Sequence, residues 1–131
     1  MISKDYLPQN INDTQAVQRL AVLPFEAIRQ DVPQLLEWLQ DAHWDVAEGI
    51  AEFLRPHINE ITQELLFILN SDDSMWKYYV ICILISKAQQ KLNPVLIRDL
   101  QRIAEHPSAI DAEDTVDNVA KMVIGNKLLC S

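Results

Sequence analysis

At 131 residues, 49% apolar and 23% charged, the chain has the size and composition of one soluble globular domain able to bury a core without metal or disulfide support. Its formal net charge of -8 disfavours nucleic acid and anionic membrane as partners, because such binding relies on Lys and Arg neutralising phosphates. Two glycines leave no Gly-rich loop to cradle a phosphate, so P-loop and dinucleotide chemistry are not expected.

Residues 1–13 are polar and read as a lead-in arm, with Asp13 or Thr14 placed to cap a first helix from Thr14 to Val22 that stops before Pro24. A short helical turn from Phe25 to Arg29 follows, and Pro33 suits a first helical position. Leu35, Leu36 and Leu39 stripe the next helix. After a polar turn, Ala47, Ile50, Ala51 and Leu54 recur at helical spacing until Pro56 ends the segment. Ile58, Ile61, Leu65, Ile68 and Leu69 mark another helix, and the last four are matched thirty-five residues on by Leu96, Leu100, Ile103 and Ala104.

Between them, Met75 to Ser86 is apolar almost all round. Trp76, Tyr79, Val80, Ile83 and Leu84 fall on one side and Tyr78, Ile81, Cys82 and Ile85 on the other, so this helix must be covered by neighbours before and behind. The last helix, about Ala112 to Ile124, narrows to Val116, Val119, Ala120 and Val123, as a terminal unit with a wet outer face should. Asp111 to Asp114 suggests an acidic capping box at its start, and Gly125-Asn126 a left-handed cap at its end.

Trp44 and Trp76 stand thirty-two positions apart, each just after a short acid-bearing turn, which is the spacing of one helix-turn-helix unit. A lone amphipathic hairpin cannot bury its own stripe, so stacking is required. The expected fold is all-α, an α/α superhelix of about three HEAT-like helical hairpins with an N-terminal capping helix. One domain spans residues 14–126, flanked by the arm and a C-terminal tail, 127–131.

Four blocks carry a family resemblance: W-L-Q-D-A-H-W-D-V-A (Trp38 to Ala47), S-D-D-S-M-W-K-Y-Y (Ser71 to Tyr79), R-I-A-E-H-P (Arg102 to Pro107) and D-A-E-D-T-V-D-N-V-A (Asp111 to Ala120). In order and separation they resemble a bacterial family of short HEAT-like helical proteins known only as a domain of unknown function, over nearly everything from Tyr6 onward. The resemblance implies an α/α superhelix and no established activity. Where the family pattern has Asn and Pro around the first turn tryptophan, this chain has His43 and Asp45, leaving Asp41 to supply the cap.

Stacking in parallel would bring Asp41, His43, Trp44 and Asp45 near Asp72, Asp73, Trp76 and Lys77 along one rim. Tryptophan supplies contact area at low entropic cost and acids supply charge complementarity, which suits a binding face; the same residues also serve as turn anchors and helix caps. Lys77 lies in an apolar helix and must snorkel out or pair with a carboxylate, for which Asp41, Asp45, Asp114 and Asp117 are the nominated partners. His57 with Glu60 is the one metal-like spacing, too sparse for a site, and Cys82 is too apolar in its surroundings to be a good thiolate. No catalytic residue, metal or cofactor is therefore expected.

Cys82 and Cys130 form no C-x-x-C pair, and Met1 to Asp5 opens no apolar leader, so a reducing, cytoplasmic location is expected. The leading functional expectation is a protein–protein interaction module, regulatory or immunity-type, binding through an acidic, tryptophan-rimmed face. The rivals are a small-ligand binder or enzyme using the Asp/His/Trp/Lys rim, and a structural subunit that homodimerises.

Overall fold

The computed structural model describes residues 4–129, which contain helices, turns and loops and no strand. Met1 to Ser3 of the arm, and Cys130 and Ser131, lie outside the described residues. Helix α1 (Thr14–Ala21) begins where the Asp13 carboxylate accepts from the Ala16 amide. α2 (Phe25–Ile28) runs through a 3-10 turn, Arg29–Asp31, into α3 (Val32–Glu37), where Pro33 occupies a first-turn position that costs no intrahelical hydrogen bond. α4 (Asp45–Leu54) tightens into a 3-10 turn, Arg55–His57, around Pro56, and α5 (Thr62–Leu69) follows. α6 (Ser74–Tyr79) continues directly into a π-helical segment, Val80–Ile85. α7 (Pro94–Glu105), α8 (Ala109–Glu113) and α9 (Val116–Leu129) complete the fold.

α1 packs on α4, α4 on the π segment, and the π segment on α9; α5 packs on α7 and α7 on α9. Ile61, Leu65, Ile68 and Leu69, and Leu96, Leu100, Ile103 and Ala104 thirty-five residues on, all lie in the core. Polar bonds repeat at a similar separation. Arg29 donates to the Glu60 carbonyl, Asn59 to the Lys91 carbonyl and Arg102 to the Leu69 carbonyl, so carbonyls left over between helices are taken by side chains 31, 32 and 33 residues away in sequence.

The arm is stitched down. Tyr6 is buried and donates to Asp31, whose other oxygen accepts from Lys4 at 3.0 Å, and the Val46 amide donates to the Ile11 carbonyl. Burial, reinforced by the Asp31 carboxylate, pushes the Tyr6 hydroxyl up to about 12. Burial opposes the charge on Asp31, yet the hydrogen bonds from Tyr6 and Lys4 hold its carboxyl below the usual carboxylate range.

Three expectations need correction. The apolar helix does not divide into two α-helical stripes: the Ser86 amide donates to Ile81 five residues back, and this wider winding places Val80, Ile81, Leu84 and Ile85 inside while Cys82 and Ile83 stay half-buried. The last helix is broken at Thr115, whose φ of 61° is an uncommon left-handed conformation for a β-branched residue. Ser108, rather than Asp111, caps the piece before the break, its hydroxyl accepting from the Asp111 amide at 3.1 Å. Finally, Gly125 has no positive φ and α9 continues to Leu129, so Gly125-Asn126 makes no left-handed cap and helix enters the segment expected as tail; Lys and Leu after it propagate helix well.

Gly49 lies where α4 packs against α1. A Cβ there would lie 2.3 Å from Val17 Cγ1, and valine in a helix has little rotameric freedom to move aside. Gly49→Ala gains about 1 kcal/mol of helix propensity but overpacks this crossing at about 1–3 kcal/mol. The variant is expected to unfold at lower urea than the parent. In a Val17→Ala background the sign reverses, and adding Gly49→Ala raises stability; the same sign in both backgrounds would refute the steric reading.

Candidate functional site

α3 turns Val32, Leu35 and Leu36 inward, which leaves Pro33, Gln34 and Glu37 on its outer side. On one flank stands Trp76. The Asp73 carboxylate caps α6 by accepting from the Trp76 amide at 3.0 Å, and the indole then reaches across to donate from Nε1 to the Leu36 carbonyl at 2.9 Å. With its polar end satisfied, the ring forms one wall of a hollow of about 320 Å³ with Pro33, Leu36, Phe67 and Ile68, and with Glu37 and Glu64 as its charged members. Phe67 is 73% exposed at its edge.

On the other flank Trp38 and Trp44 meet edge to face with ring centroids 6.0 Å apart. They line a second hollow of about 240 Å³ with Leu7, Pro8 and Glu37. Glu37 therefore belongs to both hollows, and all three tryptophans of the chain lie along one surface divided by a single carboxylate. No cationic residue lines either hollow, and Glu37 and Glu64 make no ion pair among the described residues.

A polar cleft of about 600 Å³ involves the next residue of α6, Lys77, together with Asp111 from α8, Arg102, His106, Ser108 and Asp72. Lys77 Nζ and Asp111 Oδ2 are 2.8 Å apart with side chains 5% and 6% exposed. The remaining Asp111 oxygen has no hydrogen-bond partner among the described residues. Lys77 thus pairs with a carboxylate of α8, but with none of its four nominated partners. The early start of α8 at Ser108 delivers Asp111 instead; Asp114 accepts from the Ser74 hydroxyl, and Asp117 faces Lys121 at 3.7 Å.

The two turns hold their residues in different ways. Asp41 accepts from the His43 amide at 2.8 Å and faces its Nδ1 at 2.9 Å, interactions that hold the Asp41 carboxyl below its ordinary range. It does not cap α4, where no side chain bonds the first turn. His43 is exposed and edges Tyr79, and Asp45 is exposed in the first turn of α4. Asp72 lies at the polar cleft, Asp73 caps α6 and Lys77 is buried. Trp44 is the residue before α4, whereas Trp76 is the third residue of α6, so the sequence echo is offset in helical register. The tryptophans share the α3 surface through Glu37, while Asp41 and Asp73 are each engaged within their own turn.

Sequence reasoning missed Trp38, Glu37, Glu64 and Phe67. Phe67 did carry a signal: it is an aromatic residue off the stripe formed by Leu65, Ile68 and Leu69. Cys82 is half-buried, and its burial pushes the thiol above its ordinary value despite the Tyr78 hydrogen bond and the nearby Lys87 charge, which fits an unreactive thiol.

No helix among the described residues is long and apolar enough to cross a membrane. No curated protein matches the chain. The family model described as a domain of unknown function, DUF5071, matches residues 6–124, nearly the whole chain, and the protein therefore belongs to that family.

Proposed function

We propose that this protein is an interaction module of stacked HEAT-like hairpins that recognises a protein partner across the tryptophan-lined surface of α3. One observation carries this reading: the highly exposed Phe67 borders one of two neighbouring hollows whose walls together include every tryptophan in the chain. Large apolar and aromatic groups presented together on a surface are the usual anchors of protein recognition. The indole of Trp76 is already tied to the Leu36 carbonyl, so little side-chain freedom is lost when a partner seats against it. A regulatory or immunity-type role in a bacterial cytoplasm suits such a module. A second reading, small-ligand binding in the polar cleft, is favoured by the Lys77–Asp111 pair there, and ranks below because the Lys77 charge is enclosed and already paired.

Affinity capture from the native cells tests the leading reading, with Phe67→Gln as the paired control because glutamine keeps the helix and removes the exposed ring. The wild-type chain is expected to recover one protein at near-equal stoichiometry. Phe67→Gln, with an unchanged thermal melt, is expected to lose at least about tenfold of it, the scale of a single interface anchor. Equal recovery by both chains would exclude this surface.

A further inference from the structure

We infer that the segment of partner protein seated on α3 is basic, with two large apolar side chains straddling a central lysine or arginine that pairs with Glu37; this rests on the docking reading above. The geometry starts from the shared carboxylate. The hollows of about 320 and about 240 Å³ lie on either side of Glu37, so a segment that fills both must cover it. Covering a carboxylate removes its water, and that desolvation opposes binding unless a cation or donor replaces the lost hydrogen bonds.

Among the described residues no cation lines either hollow to do this. Every charged residue lining the hollows is a glutamate, Glu64 adds a second carboxylate on the Phe67 side, and the net charge of the whole protein is -8. An acidic segment would meet repulsion along its whole length, and a wholly apolar one would leave Glu37 buried and unpaired. A second copy of this chain fares no better: a two-fold interface centred here sets Glu37 against its own symmetry mate, with no lysine or arginine in the surface to separate them. A basic segment with flanking apolar anchors satisfies the hollows and the carboxylate together, and long-range attraction to the acidic protein speeds its arrival.

Selection of a random-peptide display library on the full chain tests this. Enriched clones are expected to carry Lys or Arg between two large apolar residues. A synthetic peptide of their consensus should bind more weakly as salt rises, lose about tenfold on Glu37→Gln, and lose more on Glu37→Lys and on Phe67→Gln. Enriched clones that depend on Phe67 yet lack a basic residue, or that bind Glu37→Gln as well as the parent, would overturn the inference and leave the docking surface standing. Selection that yields no clone sensitive to Phe67 or Trp44 would remove the docking surface itself, and the inference with it.

Discussion

Lys77→Met is expected to destabilise the fold by about 3–5 kcal/mol, the cost of leaving a buried carboxylate without its cation. Lys77 and Asp111 are each almost wholly enclosed and 2.8 Å apart, and the second Asp111 oxygen has no other donor among the described residues. Methionine preserves the length and apolar stem of the lysine, so the loss reports the charge rather than a cavity. The double variant Lys77→Met, Asp111→Leu is expected to recover most of the loss, because replacing both members of a buried pair by apolar groups of similar volume is often near neutral. Urea unfolding of the four chains of this cycle gives the coupling directly. A double variant as unstable as Lys77→Met alone would show that α8 depends on Asp111 for something other than its pairing.

That pair also marks the limit of what can be read without coordinates. That Lys77 must snorkel out or pair with a carboxylate follows from its apolar flanks, Trp76 and Tyr78 to Val80, and it pairs with Asp111 of α8. Which carboxylate meets it depends on where α8 begins. Ser108 starts the helix ahead of the acidic run, and Thr115 breaks the chain behind it, which brings Asp111 to Lys77 and Asp114 to Ser74. Neither event leaves a periodic trace. The stripes do, because a helix packed on one side must repeat its apolar residues at three and four, and so Ile61 to Leu69 and Leu96 to Ala104 could be aligned residue by residue.

The candidate surface was half legible for the same reason. Trp44 and Trp76 stood out by spacing, and both line it, but they enter from different positions in their helices and meet only through Glu37 on a third. Glu37 looks like any solvated acid at the end of a short helix. Only the fold shows that apolar hollows lie on both sides of it.

Arg55→Met is expected to cost about 3 kcal/mol, since hydrogen bonds from a charged donor contribute about 1.5–3 kcal/mol each and the acceptor left behind is partly buried. Arg55 donates from Nε and Nη2 to the Ile83 carbonyl at 3.0 and 2.7 Å, with its side chain 17% exposed, and Nη2 also meets Glu48 at 2.8 Å. The π winding explains why that carbonyl needs it. Ser86 gives its amide to Ile81, five residues back, and its hydroxyl to Cys82, and the Ile83 carbonyl accepts both bonds from Arg55. Gln90 returns a bond to the Arg55 carbonyl at 3.0 Å, tying the following loop to the same turn. Arg55→Lys keeps the charge but not the fork, and should recover only part of the loss. Hydrogen exchange supplies the local readout: amides from Leu84 to Gln90 should lose protection in Arg55→Met before the α7–α9 pair does, because opening begins where the carbonyl was orphaned. Unchanged protection there, with stability within about 0.5 kcal/mol of the parent, would mean that water serves the Ile83 carbonyl as well as the guanidinium does.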